Sequence, residues 1–249
     1  MSLVPPAGRK WLVTGLRAGS EPCPVVHIPT GRYYSGVTVD AVVFDYGGVL
    51  TSAVRETTAQ WLIADGIDED SFATVMREWM ARGVEIGSPV HRLETGELTG
   101  AEFEVEFAAR LRTSAGGPVL AEGLLARLFA GMVPDPAMFA LLGELRGLGV
   151  RVAVLSNSWA NTYPDNLAEL VDAVVISGEV GLRKPDPKIY ALVLDQLGLP
   201  AGGCVFVDDA PINVDAAAAL GMTAIRHRDA ESTRAALAEL IPSLRKVAP

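Results

Sequence analysis

Three aspartates follow runs of apolar, β-branched residues, at the point where each run would end as a β-strand. Asp45 comes directly after residues 39–44, and Asp208 and Asp209 come directly after residues 204–207. Carboxylates that converge in one crevice repel each other unless a cation lies between them, and Mg²⁺ prefers such oxygen ligands. The pattern therefore predicts a Mg²⁺ site, and capping of the next helix by Asp208 and Asp209 is the alternative.

A serine, an asparagine and a lysine lie at positions suited to bind a phosphate group. Ser156 and Asn157 follow the apolar residues 152–155, where a hydroxyl group and backbone N–H groups could hold a phosphate oxygen at the start of a helix. Lys184 lies in a loop that two prolines restrict, so its ammonium group could offset both the aspartates and a phosphate. Simple capping at the serine turn and a solvated lysine are the alternatives.

The residues between these positions alternate between strand and helix patterns. Besides the strand before Asp45 and a helix after Trp159, the patterns predict strands over residues 150–155, 173–177 and 204–207, and helices over residues 137–147, 187–197 and 212–220. This alternation implies right-handed crossovers and a parallel sheet covered on both faces. We therefore predict a three-layer, Rossmann-like α/β fold in which ligands bind beyond the carboxyl ends of the strands.

The segment that follows Asp45 has a helical pattern instead. Helical periods recur from about residue 53 to residue 129, including a stretch over residues 120–129. We predict a helical cap domain over residues 53–133, inserted into a core domain formed by residues 37–52 and 134–249. Residues 1–36 are rich in Pro, Gly and Arg, and we predict that they form a flexible extension.

A polar turn in the predicted cap, over residues 91–98, could contact the part of a substrate that does not react. His91 or Arg92 could select substrates there, and a solvated loop is the alternative. Trp159, which follows Ser156 closely, either borders the site or packs beneath the next helix.

Four short motifs, in order along the chain, carry a resemblance to a known family. The motifs are Asp45-Tyr46-Gly47-Gly48-Val49, Ser156-Asn157, Lys184-Pro185-Asp186-Pro187 and Asp208-Asp209. This set resembles the four motifs of the haloacid dehalogenase (HAD) superfamily, subfamily I with a helical cap, over about residues 40–226. Within that superfamily the chain resembles sugar-1-phosphate phosphatases and the phosphatase-like domain of soluble epoxide hydrolases.

The resemblance implies a Mg²⁺-dependent phosphohydrolase that acts on a small phosphorylated metabolite. Asp45 would attack phosphorus and form an aspartyl-phosphate, which water then hydrolyses. Lys184 would orient Asp45, and the groups that bind the phosphoryl oxygens would be Ser156, Asn157 and Lys184. The ligands of Mg²⁺ would be Asp45, Asp208, Asp209 and the backbone carbonyl of Gly47.

Gly47 departs from the family's pattern. HAD phosphatases typically carry an aspartate at this position, which protonates the leaving group and later activates water, and such acid–base help is typically worth ~10²–10⁴-fold in rate. The favoured interpretation is an active phosphatase whose substrate needs little protonation, or one that recruits an acid from elsewhere. A 2-haloacid dehalogenase is a second interpretation, which Gly47 and the Asp208-Asp209 pair both disfavour. A phosphometabolite-binding protein with weak catalysis is the third.

Charge and cysteine content restrict the partners. The 249 residues include 30 acidic and 21 basic side chains, and the basic ones are scattered along the chain, which argues against a nucleic-acid or anionic-membrane partner. The two cysteines, Cys23 and Cys204, match no metal-binding spacing and predict reduced thiols in a cytoplasmic protein. No apolar stretch reaches the length of a membrane span.

Overall fold

A six-stranded sheet organises the part of the chain that the structure describes. The structure is a computed structural model and describes residues 26–27, 38–80, 87–159 and 163–246. In chain order the strands are β1 (Val26–His27), β2 (Ala41–Phe44), β3 (Arg151–Ser156), β4 (Ala173–Ile176), β5 (Cys204–Asp208) and β6 (Thr223–Arg226). They lie side by side in the order β1-β6-β5-β2-β3-β4. β1 runs antiparallel to β6, and the other neighbouring strands are parallel.

The register of β2 decides which side chains meet at the carboxyl edge of the sheet. Phe44, the last residue of β2, pairs with Val154 of β3 and with Val207 of β5. Asp45 and Asp208 follow directly, so they lie at the same level of the edge. All of β2 is buried, and a shift of its register by one residue would turn every side chain to the opposite face.

Among the described residues, five helices form the insertion that follows β2. They are α1 (Val54–Ala64), α2 (Glu69–Met80), α3 (Pro89–Glu94), α4 (Gly100–Arg110) and α5 (Leu124–Leu128). A capping box starts α4: the Thr99 hydroxyl accepts from the Glu102 backbone N–H at 3.3 Å, and the Glu102 carboxylate accepts from the Thr99 N–H at 2.9 Å. The insertion has an apolar cluster of its own, whose aromatic members include Trp61, Trp79, Phe103 and Phe107.

The remaining helices cover the two faces of the sheet. They are α6 (Pro136–Gly147), α7 (Leu167–Leu170), α8 (Ser177–Val180), α9 (Pro187–Leu197), α10 (Pro211–Ala219) and α11 (Ala230–Leu240), with 3₁₀ segments at Ala201–Gly203 and Pro242–Lys246. α6, α7 and α11 pack on one face, and α9 and α10 pack on the other. The predicted three-layer, Rossmann-like α/β fold with a helical cap is thus confirmed.

The two ends of the insertion pair with each other beside the end of β2. The Ser52 N–H donates to the Val133 carbonyl at 2.8 Å, and the Asp135 N–H donates to the Leu50 carbonyl at 2.9 Å. The insertion therefore leaves and rejoins the rest of the fold at one place, a few residues beyond Asp45.

Some elements differ from the sequence-based expectation. Patterns alone missed β6, and most of the predicted flexible extension lies outside the described residues, although Val26–His27 pair with β6. The helix expected over residues 120–129 is limited to α5, because the Glu104 carboxylate accepts from the N–H groups of Gly123 and Leu125 and so caps α5 at its start. In the described part of the chain, every helix is too short or too polar to cross a membrane.

Candidate active site

A tight turn holds Asp45 at the end of β2. The Asp45 N–H donates to the Val207 carbonyl at 2.8 Å, and the Asp45 Oδ1 accepts from the N–H of Tyr46 at 2.7 Å. Gly48 has a φ of 78°, and a Cβ at that residue would lie 3.1 Å from the Asp209 carboxylate. Glycine at this position therefore lets the turn bring Asp45 and Asp209 close together.

Three carboxylates converge at this edge of the sheet. Asp45, Asp208 and Asp209 each offer an oxygen, and these oxygens lie within 4.8 Å of one another. The Asp208 carboxylate accepts from the Ala210 N–H at 2.8 Å and from the Asn213 amide, whose nitrogen is 3.1 Å from each oxygen. The Asp208 carboxylate thus binds the N–H of Ala210, the N-cap residue of α10, and α10 has no side-chain cap.

Lys184 lies inside the acidic cluster rather than in solvent. Its side chain is 1% exposed, and its Nζ is 2.7 Å from the Asp45 Oδ1 and 2.7 Å from the Asp208 Oδ2. The ring of Phe206 lies beneath the ammonium group, with its centroid 5.6 Å from Nζ. The lysine thus bridges the residues that follow two adjacent strands.

The three carboxylates of the cluster outnumber the one ammonium group of Lys184. Burial raises the pKa of Asp45 to about 7; Lys184 opposes this rise, and Asp208 and Asp209 add to it. Burial also raises the pKa of Asp209, and Asp208 adds to that rise. Burial alone would lower the pKa of Lys184, but Asp208 and Asp45 outweigh it and hold that pKa above its ordinary value. Because one ammonium group faces three carboxylates, a divalent cation with oxygen ligands fits this donor set.

Ser156 and Asn157 lie beside this cluster but use their side chains differently. The Ser156 hydroxyl, buried at the end of β3, accepts from the Tyr163 hydroxyl at 3.0 Å. The Asn157 amide holds the backbone of Lys184: its Oδ1 accepts from the Lys184 N–H at 2.8 Å, and its Nδ2 donates to the Lys184 carbonyl at 3.0 Å. Phosphate binding stays a prediction for both residues, and at Asn157 the backbone N–H is the group suited to it.

Gly47 has space for a Cβ atom. A Cβ at Gly47 would lie 3.7 Å from the Val54 Cγ2, which is an ordinary van der Waals distance, and its φ is not positive. The nearby Thr51 hydroxyl already makes two hydrogen bonds within the turn: it accepts from the Gly48 N–H at 3.0 Å and donates to the Ser52 carbonyl at 3.2 Å. The missing aspartate is therefore a feature of the sequence that the backbone does not impose.

The insertion contributes a buried carboxylate, Glu94, that the motif analysis missed. Glu94 ends α3 and contacts the loops that carry Asn157 and Lys184. In the sequence, Glu94 lies one helical turn after Val90, and this spacing places it on the buried side of α3.

The structure gives the positions of His91, Arg92 and Trp159, for which the sequence left alternatives open. Arg92 pairs with Glu106 at 3.5 Å within the insertion. His91 is partly buried, and burial followed by the charge of Arg183 lowers its pKa. The ring of Trp159 packs against Phe103, with centroids 5.6 Å apart, so it joins the apolar cluster of the insertion. Trp159 thus extends from a loop beside the sheet into the insertion.

Comparison with known proteins identifies the family of this chain. The haloacid dehalogenase-like hydrolase family matches residues 39–221, which include all four motifs. The chain belongs to the haloacid dehalogenase-like hydrolases. This HAD-family chain is 38% identical over 215 residues to the sesquiterpene phosphatase astK of Aspergillus oryzae, covering 82% of this chain and 97% of that protein. The predicted class of enzyme, a HAD-family phosphatase, is confirmed by this family and by such relatives.

Other relatives of the HAD-family chain are longer or more distant. It is 29% identical over 212 residues to acyl-CoA dehydrogenase family member 10 of Mus musculus, covering 80% of this chain but only 19% of that protein. A HAD family enzyme of Bacteroides thetaiotaomicron, solved in complex with magnesium and inorganic phosphate, superposes with a TM-score of 0.57 at 23% identity. That superposition covers 78% of this chain and 95% of the other, and it supports the fold.

Proposed function

We propose that the chain is a Mg²⁺-dependent phosphohydrolase that transfers a phosphoryl group from a small phosphorylated metabolite to Asp45 and then to water. The observation that carries this proposal is the position of Lys184, 2.7 Å from both Asp45 and Asp208, beside a third carboxylate at the edge of a parallel sheet. A buried ammonium group suits the negative charge of a transferring phosphoryl group.

The hydrogen bonds of Asp45 indicate which of its oxygens attacks phosphorus. Oδ1 accepts from the Tyr46 N–H and from Lys184, so these two donors fix the plane of the carboxylate. Oδ2 is then the nucleophile that forms the bond to phosphorus, while the bond from phosphorus to the leaving oxygen breaks. The leaving oxygen departs as an anion and takes its proton from water, since Gly47 has no acidic side chain to supply one. Hydrolysis of the resulting acyl phosphate returns the Asp45 carboxylate.

The same set of contacts supports an assignment of the metal ligands. Asp208 already accepts from Lys184, Ala210 and Asn213, whereas Asp209 lies close to the nucleophile turn and is half-buried. We assign Asp45, Asp209 and the Gly47 carbonyl as direct ligands of Mg²⁺, with Asp208 behind them. When bound, the ion neutralises the charge of the phosphate and of the carboxylates.

Ser156 and the backbone N–H of Asn157 complete the phosphoryl site in this proposal. Tyr163 donates to Ser156 at 3.0 Å, which leaves the Ser156 hydroxyl proton free to donate to a phosphate oxygen. Lys184 binds a second oxygen. Ser156 ends β3, Asn157 lies in the loop that follows β3, and Lys184 lies in the loop between α8 and α9.

A cavity suggests the chemistry of the leaving group. It has a volume of about 270 Å³, and Tyr163, which donates to Ser156, forms part of its wall. Its other lining includes Phe129, Met132 and Pro134. An apolar leaving group fits this lining, and the similarity to a sesquiterpene phosphatase supports that choice.

The free, buried thiol of Cys204 is consistent with the cytoplasmic location that we propose.

A substrate panel with and without Mg²⁺ tests the proposed function. We expect release of inorganic phosphate from part of a panel of acyl, sugar and isoprenoid phosphates, and loss of that release when EDTA removes the divalent ions. Restoring Mg²⁺ should restore the rate. Release of chloride from 2-chloropropionate in EDTA would instead support a dehalogenase. Binding of phosphometabolites without any turnover would support a binding protein.

A further inference from the structure

Glu94 is a buried carboxylate at the junction between the insertion and the rest of the fold. It is the last residue of α3 and is 3% exposed. Its Oε1 accepts from the Trp159 Nε1 at 2.7 Å, and its Oε2 accepts from the Arg183 Nε and from the Asn157 Nδ2, the latter at 3.4 Å. One side chain of the insertion thus contacts three side chains from two loops beside the sheet.

The partners of Glu94 show what its carboxylate does. Arg183 is always charged, and both Trp159 Nε1 and the Asn157 amide nitrogen can only donate. All three contacts therefore need an ionised Glu94 that accepts hydrogen bonds. A carboxylate held in this way is not free to serve as the proton donor that is missing at Gly47.

Both contacts of Oε2 lead to Lys184. Arg183 precedes Lys184 directly, and Asn157 holds the Lys184 backbone on both sides, through its N–H at 2.8 Å and its carbonyl at 3.0 Å. The Lys184 Nζ in turn lies 2.7 Å from Asp45. A short series of hydrogen bonds thus connects α3 of the insertion to the nucleophile.

The backbone of the insertion also fits closely at this junction. A Cβ at Gly96 would lie 2.5 Å from the carbonyl oxygen of Gly178 in α8, so a side chain there would force the two segments apart. The Ser158 N–H donates to the Ser177 hydroxyl at 2.8 Å, which joins the loop after β3 to the same helix. Glu94 is therefore held in one position relative to both loops.

We propose that Glu94 is a positioning residue that couples docking of the helical insertion to the alignment of Lys184 and Ser156. In the docked arrangement its carboxylate fixes Arg183 and Asn157, and through them the backbone of Lys184 and the loop after Ser156. The phosphoryl site is then complete only when the insertion is docked. This inference rests on the proposed function, because it assumes that Lys184 and Ser156 bind the phosphoryl group.

Glu94→Gln is the variant that tests the coupling, since it keeps the size of the side chain and removes its charge. We expect kcat to fall about 10- to 100-fold, because small displacements of groups that position a substrate carry penalties of that order. We also expect weaker binding of inorganic phosphate in the presence of Mg²⁺, with KM changed less than kcat. Glu122→Gln, the same chemical change at an exposed position elsewhere in the insertion, is the matched control and should behave as the wild type.

Three readouts separate this role from a merely structural one. A structural Glu94 would lower the melting temperature and leave kcat and phosphate affinity unchanged well below that temperature, and this result would overturn the proposal. If Glu94→Gln fails to fold, Glu94→Asp is the second variant, because it keeps the charge on a shorter side chain. Its kcat should also fall, by less than that expected for Glu94→Gln. A folded Glu94→Asp with the wild-type kcat would overturn the proposal.

Hydrogen exchange keeps the test independent of the proposed function. The amides of residues 181–184 and of Asp186 should exchange faster in Glu94→Gln than in Glu122→Gln. If the wild type turns over no phosphate ester, the proposed function fails, and exchange together with binding of inorganic phosphate still decides the coupling. Equal exchange and equal phosphate affinity in the two variants would overturn it.

Discussion

Replacement of Asp45 by asparagine is expected to lower the rate of phosphate release by about 10⁴-fold or more, the order seen when a covalent nucleophile is removed. An amide cannot form the acyl phosphate, whereas the shape of the side chain and the hydrogen bonds from Tyr46 and Lys184 to one oxygen can be kept. The variant should therefore fold normally and still bind inorganic phosphate.

Phosphate release measured with the best substrate of the panel checks this result. Asp195→Asn, at an exposed position of α9, is the matched control for the chemical change and should retain the wild-type rate. Activity of Asp45→Asn close to that of the control would remove Asp45 from the nucleophile role.

Gly47→Asp should increase the rate of hydrolysis of alkyl phosphates by about 10²-fold, at the low end of the usual contribution of general acid–base catalysis. A Cβ can be accommodated at this position, since among the described residues it meets only the Val54 Cγ2, at 3.7 Å. Acyl phosphates have good leaving groups that need no proton, so their first step should change little.

The ratio of the two rates is the quantity to measure. Gly47→Asn has nearly the same size and no acidic proton, so it should leave the ratio of alkyl phosphate to acyl phosphate hydrolysis at the wild-type value. An equal gain in Gly47→Asn would show that the effect is not proton transfer. No gain in a folded Gly47→Asp would show that another group already supplies the proton.

The sheet and the position of Asp45 could be predicted because local signals agreed with tertiary structure. Each buried strand was an apolar run, and its last residue was followed by a polar side chain. The parallel arrangement then fixed which of those side chains share an edge. The sequence alone therefore predicts that Asp45, Ser156 and Asp208 lie together.

Contacts between distant segments could not be predicted in the same way. Neither the role of Asn157 in holding Lys184 nor the contact of Tyr163 with Ser156 leaves a periodic pattern in the sequence. Glu94 also gave a weak signal, because a glutamate that ends a short helix usually lies in solvent. Its role depends on how the insertion packs onto two loops, which is decided by the whole fold.

The short strands were missed for a different reason. β6 has four residues, and β1 spans Val26–His27 in a segment without a recognisable strand pattern. β2 and β4 are just as short but consist of continuous apolar residues, whereas β6 begins with Thr223 and ends with Arg226 and so has only two apolar residues. The pairing of β1 and β6 depends on the neighbouring edge of the sheet, which the sequence of either strand does not reveal.

Detection of a phosphoryl group on Asp45 tests the central claim most directly. Wild-type protein mixed with substrate and Mg²⁺, quenched in acid during turnover and digested, should yield an Asp45 peptide carrying the mass of one phosphoryl group. That mass should disappear on treatment with hydroxylamine, which cleaves acyl phosphates, and it should be absent from samples in EDTA. Steady turnover with an unmodified Asp45 peptide at every quench time would contradict the account.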